Sequence, residues 1–198
     1  MSAFSNPHAI VIAGFNRIEI DPPRNVADVF APDGHVLLEY DKRHMLPGPE
    51  TGYWVGKTPG LFNGPGAQWG VAICKDMDFQ AWPREYGKRG VRFLAVPAWD
   101  FNRDAKYHLR PAIVRAVENG FTMARVAQEG LLTFSDAYGR ILYEERSSEI
   151  PAAMMLRDIH PGPGRTFYTR TGDWFGRVSV VLTIVLLAMA PNKLANWS

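Results

Sequence analysis

Short apolar runs alternate with polar, glycine- and proline-rich punctuation along the chain, and the period of the runs changes partway. The first runs have strand character. Residues 9–14, Ala-Ile-Val-Ile-Ala-Gly, are continuously apolar and read as an interior strand. Residues 26–30 and 36–40 flank Ala31-Pro32-Asp33-Gly34, a turn signal, and so predict a hairpin. Residues 45–66 are dense in Gly and Pro and read as a long ordered loop of the kind that lines a site.

From residue 69 onward strand and helix periods alternate. Residues 69–73 read as a strand, 79–88 as a helix and 91–97 as a further strand. Residues 107–119 predict a helix, with Leu109, Ile113 and Val117 along one face and Gly120 as its stop. Residues 121–127 and 131–134 are strand-like, and Asp136-Ala137-Tyr138-Gly139 turns the chain into 140–143. Residues 147–164 read as a loop or weak strand. Strands alternating with helices, together with hairpins, predict an α/β fold built as a mixed sandwich. On the second helix, Arg115 and Glu118 are three apart and predict a structural ion pair, while His108 and Arg115 share a face.

Residues 178–190 break the pattern, being 13 uncharged residues near the end of the chain. That is short of the roughly 20 needed to span a bilayer. Trp174 and Arg177 just before them suit a membrane interface. The run is read as a short or truncated membrane helix; a buried core element is the rival reading. The expected division is residues 1–173 as a partial enzyme domain and 174–198 as an apolar segment.

Composition narrows the picture modestly. With 198 residues, 46% of them hydrophobic, the chain can bury the core of one domain. A net charge of +2 argues for no nucleic-acid partner. The start of the chain lacks the basic and apolar regions of a signal peptide. One cysteine excludes an internal disulfide and is too solitary for zinc, so no metal and no cofactor are expected.

That cysteine is the main chemical candidate. Cys74 ends the apolar run Gly70-Val71-Ala72-Ile73 and is followed by Lys75-Asp76-Met77-Asp78-Phe79. A thiol where a strand breaks into a turn ahead of a helix is exposed to reagents, and a helix N-terminus or a cation favours its thiolate. The backbone N–H of Lys75 could face a developing oxyanion. Lys42 follows an alternating strand, and Glu50 lies eight residues on, across Pro47-Gly48-Pro49. Lysine can stabilise an oxyanion and glutamate can move protons. Residue type and spacing alone leave open a buried structural cysteine and a surface lysine, glutamate and solvated His44.

Together these strings resemble the nitrilase (carbon–nitrogen hydrolase) superfamily. Tyr40-Asp41-Lys42-Arg43-His44-Met45-Leu46-Pro47 through Glu50 is similar to its lysine motif. Gly70 through Phe79 is similar to its cysteine motif, with Lys75 where the family more often has an aromatic residue. Arg115-Ala116-Val117-Glu118-Asn119-Gly120 resembles its later helix. Pro97-Ala98-Trp99-Asp100, the spacing of Lys42 and Glu50, and the tail from Phe167 resemble the apolipoprotein N-acyltransferase branch.

The resemblance implies an α-β-β-α sandwich with a Glu-Lys-Cys triad. Cys74, Lys42 and Glu50 should converge, with Lys42 lowering the pKa of the thiol. The family's first glutamate precedes the segment that residues 9–14 match, and neither Glu19 nor Glu39 stands in its context. The expectation is therefore a C-terminal fragment, incomplete at its N-terminus and of impaired turnover. The implied partners are a phospholipid acyl donor, a lipoprotein N-terminus and a membrane, with the domain on the periplasmic side of a bacterial inner membrane. The alternatives are a soluble amidase, which would be cytoplasmic, and a non-catalytic remnant.

Overall fold

A computed structural model describes residues 9–102, 104–148 and 153–189. Among the described residues nine strands form two sheets. The smaller holds β1 (Val11–Arg17), β2 (Arg24–Phe30) and β3 (Val36–Asp41), all antiparallel. The larger runs in the order β4 (Gly60–Gly64), β5 (Ala67–Val71), β6 (Phe93–Trp99), β7 (Thr122–Gln128), β8 (Leu131–Ser135) and β9 (Ile141–Arg146). Its middle, β5-β6-β7, is parallel, because α1 (Ala81–Lys88) and α2 (Ala105–Asn119) carry the crossovers.

Two cores result. Ala27, Val29 and Tyr40 of the small sheet meet Phe62 and Val71 of the large one and Ile73 and Cys74 just after it. Gly14 lets the sheets approach, since a Cβ there would sit 3.2 Å from Pro97. On the other side of the large sheet, Leu94, Val96 and Met123 pack under Leu109, Ala112 and Ala116 of α2. Burial on both faces explains why β6 begins as the unbroken run Phe93-Leu94-Ala95-Val96. Pro97 lies two residues past Ala95, the last residue of β6 laddered to β5, so its missing N–H falls where that side of the ladder has ended.

The described layers are thus sheet, sheet and helices. The outer helical layer expected over the small sheet is not among the described residues. Its outer face carries Phe15 and Val36, half-exposed, and an ion-pair ladder of Arg17 with Asp28 and Glu39 and of Arg24 with Glu39 and Asp41. Several expectations need correction. Among the described residues the run at 9–14 is not an interior strand: β1 pairs with β2 alone and lies at the sheet edge. The stretch 45–66 is not all loop, because β4 lies within it and pairs with β5. The buried face of α2 is Ala105, Leu109, Ala112, Ala116 and Asn119, and Val117 is exposed. Gly120 does stop that helix, at φ 73°, its N–H donating to Ala116 O.

The chain ends in the short α3 (Phe167–Thr171) and α4 (Trp174–Met189). No residue of α4 is buried, which overturns the core-element reading. Its 16 residues reach about 24 Å, against a hydrocarbon core of about 30 Å. No described helix is long and apolar enough to cross a membrane, so the transmembrane reading is without support. Residues 190–198 lie outside the described residues.

Candidate active site

Strand alternation places Tyr40 and Lys42 toward the large sheet, and Glu39 and Asp41 toward the outer ladder. Lys42 is pinned by its own backbone: its N–H donates to Asn25 O, and its carbonyl accepts from Gly56 N–H at 2.8 Å. Gly56 is required there, since a Cβ would lie 2.0 Å from Asp41 O.

The side chain of Lys42 is 1% exposed, and Glu50 is 6% exposed. Lys42 Nζ donates to Glu50 Oε1 at 2.8 Å and Oε2 at 2.7 Å. The carboxylate also accepts from Asn25 Nδ2 and from the Leu46 N–H, both at 2.6 Å. The Glu50 N–H donates back to Leu46 O, closing the Pro47-Gly48-Pro49 loop on itself. Four hydrogen bonds from three donor groups on one carboxylate offset the cost of burying the charge.

After β5 the chain turns at Cys74, the first residue of a 3-10 turn spanning Cys74–Asp78. Cys74 has φ 43°, a left-handed conformation that costs a non-glycine residue about 1–2 kcal/mol. Its thiol lies 3.9 Å from the Trp99 carbonyl, to which it can donate. Burial pushes the Cys74 pKa up. The Lys42 and Arg125 cations and the Trp99 contact pull it back without prevailing, and Asp100 adds to the rise. The expectation of a lowered pKa is therefore corrected. The thiol sits deeper in the inter-sheet core than its position at a strand end suggests, so lost hydration outweighs the cations.

Asp76 binds the lysine strand to the cysteine turn. It is wholly buried. Oδ2 accepts from Tyr40 Oη at 2.7 Å and Ile73 N–H at 3.0 Å. Oδ1 accepts from the N–H groups of Arg43 at 3.1 Å and His44 at 2.8 Å, with His44 Nδ1 at 3.1 Å. His44 is therefore not simply solvated; its ring also stacks on Phe79 at 4.0 Å. Trp82 Nε1 completes the group by donating to Tyr40 Oη.

Sequence reasoning missed the role of Asp76, because an aspartate in a polar turn gives no spacing signal. It also missed Asp100 and Arg125, a pair 0% and 1% exposed. Their fork-to-carboxylate bonds of 2.6 and 2.5 Å lie on the Trp99 side of the thiol. Only the charged residue among the apolar positions of 122–127 could have flagged Arg125.

The side chain of Lys75 turns away toward Asp78 at 3.6 Å and Phe79 at 5.8 Å, leaving its backbone N–H as the group of interest. His108 Nδ1 is 4.0 Å from Asp78, and that carboxylate raises the histidine's pKa. Arg115 and Glu118 form the expected pair at 2.7 Å. Glu39 is taken up by Arg17 and Arg24. No group of three or more His, Cys, Asp or Glu side chains among the described residues is placed to hold a metal ion. The arrangement puts the thiol at the start of a turn of backbone amides and within the electrostatic influence of a buried ammonium, which suits attack on a carbonyl.

No protein-family model matches the chain. An apolipoprotein N-acyltransferase of Geobacter metallireducens is 29% identical over 194 residues, covering 84% of this chain and 36% of that protein. One from Thermotoga maritima is 31% identical over 145 residues, covering 67% and 27%. The chain thus spans about a third of the length of these curated relatives. An omega-amidase of Mus musculus is 28% identical over 146 residues, covering 63% of this chain and 52% of that one. Among solved structures, an amidase from Nesterenkonia sp. AN1 superposes with a TM-score of 0.65 at 19% identity, covering 88% of this chain and 68% of that chain. In that structure the acetamide moiety of fluoroacetamide is covalently added at the active-site cysteine.

Proposed function

Since the chain belongs to the nitrilase superfamily, close to its apolipoprotein N-acyltransferase branch, we propose that it carries the nucleophile side of an acyl-transfer site. The Cys74 sulfur attacks an ester carbonyl, a C–S bond forms, and the ester C–O bond breaks. The departing alkoxide takes up the thiol proton and leaves as an alcohol. Lys42 and the Lys75 N–H face the oxyanion that develops on the carbonyl oxygen. Glu50, engaged by four hydrogen bonds from three donor groups, positions Lys42 rather than receiving the proton. The thioester is then opened by an amine, with C–N bond formation returning the thiol. A phospholipid is the donor that this branch suggests, and a lipoprotein N-terminus the acceptor.

The observation that carries this reading is the buried Lys42–Glu50 pair locked through Asp76 to a left-handed Cys74. Turnover by these 198 residues alone is expected to be slow, and single acylation readily seen. The test is incubation with p-nitrophenyl octanoate followed by mass spectrometry. Release of nitrophenolate with one octanoyl group on Cys74, absent in Cys74→Ser, is the expected result. An unmodified Cys74 after complete ester consumption would sink it.

The omega-amidase and amidase likenesses favour a second reading, hydrolysis of a small amide through the same thiol. Adding an N-terminal cysteinyl peptide carrying a diacylglyceryl thioether to the acylated protein separates the two. Octanoyl on the peptide amine supports transfer, whereas free octanoate alone supports hydrolysis.

A further inference from the structure

Four non-glycine residues among those described have positive φ: Cys74, Phe101, Asn102 and Glu129. Their segments meet at one place. Trp99 offers its carbonyl to the Cys74 sulfur. The N–H groups of Asp100 and Asn102 donate to Gln128 O and Glu129 O at 3.0 and 2.7 Å. Glu129 Oε2 accepts from the Trp99 indole at 3.2 Å. Backbone held in sparsely populated conformations persists only where surrounding bonds fix it, and it gathers at functional sites.

What this scaffold holds up is an aromatic plate. The Trp99 and Phe101 rings stack with centroids 5.1 Å apart and planes 23° apart. They are 45% and 46% exposed, although Asp100, between them in sequence, is fully buried with its partner Arg125. Two large apolar rings stay half-exposed on the segment whose Trp99 carbonyl meets the Cys74 sulfur. Their apolar area becomes useful when a hydrocarbon covers it.

We propose that the Trp99–Phe101 plate is the docking surface for the hydrocarbon chain of the group that Cys74 receives, and that it sets the preference for long acyl groups over short ones. The occupant is an aliphatic chain rather than a group that needs a hydrogen-bond partner. The only polar atom of the two rings, the indole N–H, is already given to Glu129, so the plate has no hydrogen bond to offer. The inference rests on the acyl-transfer reading for its biological meaning, but the plate can be tested without that activity.

Cys74 is the sole cysteine, so every thiol adduct reports on this site. The test compares second-order rates of Cys74 alkylation by N-ethylmaleimide and N-octylmaleimide, in which the thiolate adds to the maleimide double bond and the adjacent carbon takes the proton. The full chain should favour the octyl reagent. Trp99→Ala and Phe101→Ala should each cut the octyl-to-ethyl ratio about five- to tenfold, from burial of several methylenes on one side of the chain. Tyr138→Ala, an exposed aromatic on the turn before β9, should leave the ratio unchanged. Circular dichroism melts confirm that each variant is folded. Equal ratios in all folded proteins would overturn the proposal, as would native Cys74 inert to both reagents. Chain-length preference without any ester acylation would uphold the plate and reject acyl transfer.

Discussion

The cysteine turn and α4 are both short segments with strong signals in the sequence, yet their surroundings are opposite. Between Ile73 and Asp78 nearly every side chain is enclosed or bonded, with Cys74, Asp76 and Met77 buried. Over 16 residues α4 buries none. In the turn, polar groups are specified by partners from β3, β6 and the loop between β3 and β4. In α4, apolar groups are specified by nothing in the described structure. An apolar run in a sequence therefore states a demand for burial without saying where that burial is found. A polar cluster beside a thiol can be the more deeply buried of the two.

The sharpest way to break this contrast is Asp76→Ala. It strips the partner from Tyr40, Ile73, Arg43 and His44 together, leaving buried donors unpaired. A loss of about 3–5 kcal/mol in urea unfolding is expected. A loss below 1 kcal/mol would mean that the turn is held by packing alone.

Next comes the ion pair. Lys42→Met leaves the Glu50 carboxylate buried without its cation and should cost about 3 kcal/mol or more. The double variant Lys42→Met, Glu50→Gln should recover part of that, giving a coupling of about 1–3 kcal/mol in a double-mutant cycle. Strict additivity of the two single losses would dissolve the pair as a unit.

The thiol sharpens the contrast through pH. Only the thiolate reacts, so a pKa held up by burial delays reactivity to more alkaline solution. Iodoacetamide alkylation of Cys74 should keep accelerating above about pH 8.5, where a free cysteine is half ionised. Lys42→Met should push the curve further up, because it removes a cation that favours the thiolate. A profile levelling below neutrality would contradict the burial argument.

The smallest effect on the fold is expected at the other pole of the comparison. A chain ending at Asp173 should melt within about 2 °C of the full chain, because α4 contributes no buried side chain. It should differ instead in vesicle flotation and solubility. A large fall in melting temperature would reveal contacts for α4 that the described residues do not show.

How much of this was legible in the sequence follows the same physics. The hairpin β2–β3 announced itself through Pro32-Asp33-Gly34, and the β5–α1–β6–α2–β7 alternation through changes of period. Cys74 is a candidate from its place at a strand end, whereas Lys42 and Glu50 become candidates through the family resemblance of their motif, and the structure adds the direct Lys42–Glu50 contact. β4 was lost because Gly60 and Gly64 bracket only three other residues, and glycine reads as loop. Gly60 and Gly64 sit against the Tyr40 and Trp69 rings, a tertiary reason that no local pattern carries. β1 was taken for an interior strand because apolarity does not distinguish an edge from a centre. The direction of the Cys74 shift was misjudged because spacing reveals neighbouring charges but not depth.

Asp76 has one more consequence, for motion. Its carboxylate ties the amides of Arg43, His44 and Ile73, which are about thirty residues apart in sequence, to a single pair of oxygens. No one of these amides can be released to solvent without disturbing the others. In hydrogen-exchange language the end of β3 and the cysteine turn are expected to behave as one cooperative opening unit. Matched exchange rates for the Arg43, His44 and Ile73 amides would show the lysine strand and the thiol turn opening together.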